Sequence, residues 1–119
     1  MTTRTATIAA VGPTNNVNLV TWAGLLLGDD GSGAEWVDFA DRCVQVTGAF
    51  GGATLNIQGS NDGTNWGVLS DPQGNPLAFT SSKLEQVLEL PRYVRPLVSG
   101  GDGTTNLTVT LCARRIVRP

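Results

Sequence analysis

The residues of this chain that could do chemistry are its carboxylates, two cysteines and a tryptophan beside a polar turn, because the 119-residue sequence contains no histidine. Without histidine the chain lacks the commonest general base, a Ser-His-Asp triad and the usual catalytic zinc ligands. Catalysis would then need paired carboxylates. The candidate pairs are Asp62 with Asp71 and Asp38 with Asp41. They lie in turns or next to packing aromatic residues, which favours a structural role, so we predict that the protein is not an enzyme.

A metal or phosphate site is also disfavoured by the spacing of the polar residues. Five of the ten acids fall between Asp29 and Asp41. This stretch lacks the Asp-x-Asn-x-Asn-Gly order and the closing Glu of a calcium-binding loop, so a solvated acidic loop is favoured. The glycine clusters at 28–33 and 99–103 lack the Gly-Lys-Ser/Thr ending of a phosphate loop. We therefore predict neither a metal nor a cofactor.

The two cysteines, Cys43 and Cys112, could form a disulfide only if their strands are neighbours. A single pair is no disulfide framework, and two cysteines without histidine are too few ligands for a structural zinc site. Assembly in a reducing cytoplasm keeps thiols free, and unpaired cysteine is commonly a core residue. We therefore expect free, buried thiols.

Trp66 closes a polar turn that begins at Gly59, and two interpretations of this indole are open. In one, Trp66 stacks on a sugar ring while Asn61, Asp62 and Asn65 form hydrogen bonds with the sugar hydroxyls. In the other, which we favour, the indole lies at the base of a hairpin and packs on the core.

Composition and charge limit the partners. Ten acids against eight bases give a net charge of −2, far from the basic balance that a phosphate backbone requires, so nucleic acid is not expected as a ligand. The first twelve residues lack the pattern of a secretory signal, and the apolar run at 25–27 is too short for a bilayer. We therefore expect no membrane contact and a protein that stays in the compartment where it is made.

The elements that must position these residues are predicted to be strands. In residues 53–58 apolar and polar residues alternate, which predicts a strand buried on one face. Residues 59–65 are almost all turn formers, and the Asp62-Gly63 pair suits a hairpin tip. The chain then returns through residues 66–69, so the sequence predicts a hairpin at 53–70.

Similar alternation elsewhere predicts an all-β protein, a single domain over residues 1–119. We expect an antiparallel β-sandwich of jelly-roll type with about eight short strands. Strands at 93–98 and 107–111 are expected to form a second hairpin across Asp102-Gly103. Residues 77–90 fit either a short helix or a strand, and we favour the strand because Pro91 would stop a helix. The predicted core residues are Val44, Val46, Leu55, Ile57, Val94, Leu107, Val109 and Leu111.

Three segments together resemble the small head-decoration (cement) proteins of tailed bacteriophages. They are LNIQGSNDGTNW at 55–66, PRYVRP at 91–96 and GGDGTTNLTVTL at 100–111, and the similarity extends over residues 41–114. The resemblance implies a structural virion protein that binds the major capsid protein and decorates and stabilises the outer surface of the capsid. It also implies assembly in the host cytoplasm and location on the virion. A tail or fibre component of such a virus, and a carbohydrate-binding β-sandwich module, are the alternatives.

The two chain ends are the candidate capsid contacts. Residues 1–16 carry one charge and suit an extended arm, although an integral edge strand is an alternative. Residues 114–119 form a basic tail, which would either grip an acidic partner or be the solvated end of the last strand. The candidate contact residues are Arg4, Arg114, Arg115 and Arg118. Because icosahedral lattices place small decorating proteins at local symmetry axes and strand edges can pair, we expect a homo-oligomer, with a dimer favoured over a trimer.

Overall fold

The computed structural model describes residues 2–11, 16–35 and 39–115, and over these ranges the chain is all-β with no helix. The strands are β1 (Thr3–Arg4), β2 (Thr7–Val11), β3 (Val17–Leu25), β4 (Asp30–Gly31), β5 (Ala34–Glu35), β6 (Asp41–Ala49), β7 (Ala53–Ser60), β8 (Gly67–Val68), β9 (Ala78–Phe79), β10 (Lys83–Gln86), β11 (Tyr93–Gly100) and β12 (Asn106–Arg114). The predicted all-β class is confirmed. The twelve strands exceed the predicted number because five have only two residues, too short for an alternating pattern to reveal.

The strands form two sheets that pack together as a sandwich. One sheet has seven strands in the order β1-β4-β11-β7-β8, with β5 also pairing with β11 and β9 with β7. The other has five strands in the order β10-β6-β12-β3-β2. Among the described strands the pairings are antiparallel except that of β1 with β4, which is parallel.

The core lies between the two sheets and is built from the inward residues of the long strands. All eight predicted core residues are buried, and none is more than 1% exposed. Among the described residues, the largest buried side chain is that of Trp22 on β3, whose indole Nε1 donates a hydrogen bond of 2.9 Å to the carbonyl of Ser32. Gly31 leaves room for this indole, since a Cβ there would lie 2.5 Å from both Trp22 Cδ1 and Pro96 Cδ. The predicted register of the core strands is therefore confirmed.

Of the two predicted hairpins, one is present and one is wrong. Strands β7 and β8 pair antiparallel, Gln58 with Val68 and Gly59 with Gly67, and form the first hairpin. Strands β11 and β12 instead belong to different sheets, so residues 101–105 cross from one sheet to the other. Positive φ values of 68° at Gly100 and 100° at Gly101 turn the chain out of its sheet before Asp102 is reached. The segment between β6 and β7 crosses between the sheets in the same way.

The uncertain segment 77–90 contains strands β9 and β10, so the favoured strand interpretation is confirmed. Strand β10 lies at the edge of the five-stranded sheet, paired with β6. Leu84 of β10 and the two leucines after it, Leu88 and Leu90, point away from the core. Their side chains are 64%, 53% and 56% exposed. The residues of segment 77–90 that reach the core are Leu77, Phe79 and Val87, which are 1%, 4% and 3% exposed.

Candidate interaction surface

Arg4 is held by a buried carboxylate at the end of the sandwich that carries loop 101–105. Its Nε donates a hydrogen bond of 2.8 Å to Asp29 Oδ2, and the Asp29 side chain is only 4% exposed. Asp29 also accepts hydrogen bonds from the backbone N–H groups of Thr2 at 3.0 Å and Leu26 at 2.9 Å. Burial alone would raise the pKa of Asp29, but the hydrogen bonds from Leu26, Arg4 and Thr2 together hold it below its ordinary value. Arg4 is therefore engaged within the domain.

The described part of the predicted N-terminal arm lies in paired strands. Strand β1 pairs with β4, and β2 pairs along its whole length with β3. This is the arrangement that the edge-strand alternative requires. Whether the segment can detach stays a prediction.

Arg114 and Arg115 of the basic tail lie at the opposite end of the sandwich from Arg4, because β12 runs from loop 101–105 to Arg114. Arg114 is exposed and stands opposite Asp41 in the register of β12 and β6. Arg115 is half-buried, with its guanidinium 5.1 Å from the centroid of the Phe39 ring and its Nε 3.3 Å from Asn16 Oδ1. Arg118 lies outside the described residues. The structure thus separates Arg4 from Arg114 and Arg115.

One surface feature that sequence analysis missed is the outward face of the five-stranded sheet. Directly paired residues of antiparallel strands point to the same side of a sheet, so the strand registers define this face. None of its members is buried. We call it the neutral face, and its residues are Thr7, Ala9, Val11, Val17, Leu19, Thr21, Asp41, Cys43, Gln45, Thr47, Leu84, Gln86, Thr108, Thr110, Cys112 and Arg114.

The neutral face carries only two charged residues, and they oppose each other. Arg114 and Asp41 are directly paired at one end of the face, and its other residues are uncharged. The sequence does contain a sign of this face. Stretches 5–28, 43–61 and 103–113 contain no Asp, Glu, Lys or Arg. These stretches supply four of the five strands, so their coincidence on one surface depends on the strand order.

The two cysteines lie side by side on the neutral face, in the row next to the Arg114–Asp41 pair. Cys43 on β6 and Cys112 on β12 are direct partners in the register, and Leu19 and Gln86 flank them in the same row. Both cysteines are free, as predicted, but they are half-buried rather than buried. The expectation of core thiols is wrong because the strand alternation that turns Val44 inward turns Cys43 outward.

Trp66 is half-buried and packs against the outward side of the seven-stranded sheet, so the favoured expectation that the indole packs on the core is wrong. The guanidinium of Arg95 lies 4.1 Å from the centroid of the Trp66 ring. Arg95 also donates hydrogen bonds to Gln58 Oε1 at 2.9 Å and Asp30 Oδ2 at 3.3 Å. One face of the indole is therefore covered by a fixed cation, and a sugar would have to use the other.

The polar residues proposed to bind a sugar hold their own loop. Asp62 Oδ1 accepts hydrogen bonds of 2.8 Å from the backbone N–H groups of both Thr64 and Asn65, and its Oδ2 accepts one from the Asn65 amide at 2.9 Å. These bonds hold the pKa of Asp62 well below its ordinary value. The side-chain oxygen of Asn61 accepts a bond of 3.1 Å from the backbone of Arg92. The arrangement favours a structural role for this loop.

The predicted carboxylate pairs are not assembled into a site. Asp62 is exposed, while Asp71 is buried and accepts hydrogen bonds from Gln73 and Asn75 within a separate turn. Asp38 lies outside the described residues. Across 2–11, 16–35 and 39–115 no three His, Cys, Asp or Glu side chains come close enough to hold a metal ion. Over the same part of the chain there is no helix with the length and apolarity needed to span a bilayer.

Comparison with known proteins gives no assignment, since no protein-family model, curated protein or solved structure matches the chain. The resemblance to phage head-decoration proteins rests on the three sequence segments described above. What it implies about function is therefore taken up as a proposal.

Proposed function

We propose that this is a structural virion protein that decorates and stabilises the outer surface of a phage capsid, and that it docks on the major capsid protein through the neutral face. The observation that carries the proposal is that this face is broad and almost without charge. The centres of protein interfaces are depleted of charged residues because each buried charge must lose its hydration. Docking through the neutral face would therefore remove fewer charges from water than docking through a charged surface.

The size of the neutral face supports this assignment. The five strands contain 36 residues together. At about 3.3 Å per residue and about 4.8 Å between neighbouring strands, they cover roughly 570 Å². A stable protein interface buries about 800 Å² on each partner. The neutral face supplies most of this area, and the rim would supply the rest. Arg114 lies at that rim, and with Arg118 of the tail it would meet acidic groups of the capsid.

The connectivity supports a jelly-roll type of sandwich, which we include in the proposal. From β5 onwards the chain alternates repeatedly between the sheets, passing from β6 to β7, from β9 to β10, from β10 to β11 and from β11 to β12. Strands that alternate between two packed sheets are typical of jelly rolls, a fold found in viral capsid proteins.

We further propose that the protein works as a homodimer formed through the β2 edge. The two edges of the five-stranded sheet differ in chemistry. The sequence of β2 is TIAAV, without charge or proline, whereas β10 carries Lys83 and Glu85. Exposed edges without such protection pair with other strands. Pairing of β2 with the same strand of a second copy would continue the sheet and double the neutral face.

The test is co-sedimentation of the purified protein with a panel of expanded capsids, and with tails, from tailed phages. Thr110→Arg places a charge in the middle of the neutral face, and Thr54→Arg places the same charge on the outward side of the other sheet. We expect Thr110→Arg to lose binding to capsids and Thr54→Arg to keep it, with circular dichroism showing that both variants are folded. Equal binding by both would overturn docking through this face.

Alkylation of the cysteines gives an independent measurement. On a docked neutral face Cys43 and Cys112 would react with iodoacetamide much more slowly than in the free protein. Binding to tails instead of capsids would support the fibre alternative. Binding to a glycan array with no binding to any particle would contradict the decoration proposal.

A further inference from the structure

The two cysteines of the neutral face are positioned so that a disulfide bond can form between them. Cys43 and Cys112 are directly opposite in the antiparallel register of β6 and β12. Directly opposite residues in such a ladder have Cα atoms about 4.5–5.5 Å apart, inside the range of about 4.4–6.8 Å found for disulfides. The two strands would not have to move apart or together for a bond to form.

Small molecules can reach the pair. Both thiols are half-buried and lie in an open depression of about 300 Å³ on the neutral face. The residues that line it are Asp41, Arg42, Cys43, Gln86, Cys112 and Arg114. The sulfur of a small disulfide is thus able to approach the two thiols from solvent.

The groups around the two thiols slow their reaction with a disulfide but do not prevent it. Partial burial raises the pKa of the Cys43 thiol above its ordinary value, and the neighbouring Cys112 and Glu85 add to the effect. The other charged groups around the pair are Asp41 and Arg42 on β6 and Arg114 on β12. The thiolate is the attacking form, so little of it is present at neutral pH and its fraction rises with pH.

We propose that Cys43 and Cys112 form a redox-closable site, in which a low-molecular-weight disulfide such as oxidised glutathione converts the pair into a cross-strand disulfide. The thiolate of one cysteine attacks a sulfur of the small disulfide, forms a mixed disulfide and releases one glutathione thiolate. The second cysteine thiolate then attacks the protein sulfur of the mixed disulfide and releases the other glutathione. The two cysteines lose two electrons and two protons, and both are recovered in two molecules of reduced glutathione.

Closure ties together two strands that are distant in the sequence. The bond would join β6 to β12, the middle strand of the five-stranded sheet, and would close the long loop of chain between residues 43 and 112. Cross-links that close long loops stabilise a fold mainly by restricting the unfolded chain. This inference does not depend on the proposed function, since it concerns the isolated protein.

The experiment exposes the full-length protein to oxidised glutathione over a range of pH and follows intact mass, free thiols and thermal unfolding. We expect a product that is lighter by two hydrogens and has no free thiol. It should form roughly tenfold faster at pH 8 than at pH 7. Its Tm should be roughly 10 °C higher and should return to the starting value on reduction.

The matched controls are Cys43→Ser and Cys112→Ser, each of which keeps one half of the pair. Each should stop at a stable glutathione adduct, because no second thiol is available to resolve it. Two free thiols after prolonged exposure, accumulation of the adduct on the unchanged protein, or cross-linking only between molecules would each overturn the proposal. Circular dichroism of both variants confirms that they are folded before comparison.

Discussion

Arg4 and Asp29 form an ion pair that ties the first strand to the body of the domain, with Arg4 Nε 2.8 Å from Asp29 Oδ2. The Asp29 carboxylate is almost fully buried, whereas the arginine is 33% exposed. Such a pair affects the stability of the fold mainly when one partner is removed. The buried carboxylate then keeps its charge and loses a hydrogen bond. The N-terminal segment therefore completes the solvation of a group that the rest of the domain buries.

From this relationship we predict that Arg4→Ala lowers the free energy of unfolding by about 1–3 kcal/mol. The matched control is Arg92→Ala, since Arg92 pairs at 3.0 Å with Glu35 on the surface, where both side chains are at least 40% exposed. The control should cost less than about 0.5 kcal/mol. Chemical denaturation measures both.

Deletion of residues 1–10 extends the same test. It removes Arg4, Thr2 and most of β2, so we expect a truncated chain that is unfolded or strongly destabilised by circular dichroism. A truncation as stable as the full chain that binds capsids weakly would instead establish the detachable arm. A stable truncation that binds at full strength would remove the N-terminal segment from the interaction.

Acid should destabilise the protein partly through Asp29. The pKa of this carboxyl in the folded chain lies below its ordinary value of 3.8. Stability from this group is therefore fully present above about pH 4 and is lost as the pH falls through the folded pKa. Asp29→Asn should lower stability at pH 7 and flatten the loss between pH 4 and pH 2, as measured by urea denaturation at each pH. An unchanged pH profile would show that Asp29 does not contribute.

Truncation of a core residue should be costly and truncation of an exposed leucine should not. Leu55→Ala and Leu111→Ala, at fully buried positions, should each lower the free energy of unfolding by about 2–4 kcal/mol, and Val109→Ala by somewhat less. The control is Leu84→Ala, at a position that is 64% exposed, which should change stability by less than about 0.5 kcal/mol. Similar losses at Leu55 and Leu84 would refute the strand register.

The strands and the core could be predicted because the alternation of apolar and polar residues along a strand is a local property of the sequence. Residues 53–58 fix which side chains of β7 face inward, and the structure agrees at Leu55 and Ile57. A turn such as that at Asp102 is also local, but its chemistry does not say whether the flanking strands pair or enter different sheets. That choice depends on contacts with distant strands, so the second hairpin was predicted wrongly.

The neutral face and its cysteine pair could not be predicted for the same reason. The uncharged stretches are visible in the sequence, yet only the order of the strands places them side by side. Cys43 meets Cys112 through a register set by the whole length of β6 and β12. Neither spacing nor composition carries that information.

Attachment to the capsid should depend on salt through the tail arginines. Arg114 is exposed at the rim of the neutral face, so its charge can act on a partner within about 8 Å at physiological ionic strength. Replacement of Arg114, Arg115 and Arg118 by Gln should therefore make binding less sensitive to salt. Arg92→Gln, directly before β11 of the other sheet, is the control. Equal salt dependence of the triple variant and the unchanged protein would exclude the tail from the contact.

The edge strand β2 should decide the oligomeric state. Ile8 lies on β2 and is 57% exposed, although its partner in the register, Val20 of β3, is fully buried. A second copy of β2 would cover Ile8, and a charge at this position would have to be buried without a partner. We expect light scattering to give a dimer for the unchanged protein and a monomer for Ile8→Lys. Leu84→Lys, on the opposite edge of the same sheet, should remain dimeric. A monomer at high concentration for the unchanged protein would contradict a dimer formed in solution. The protein could then pair only on the capsid, and cross-linking of capsid-bound protein would test this.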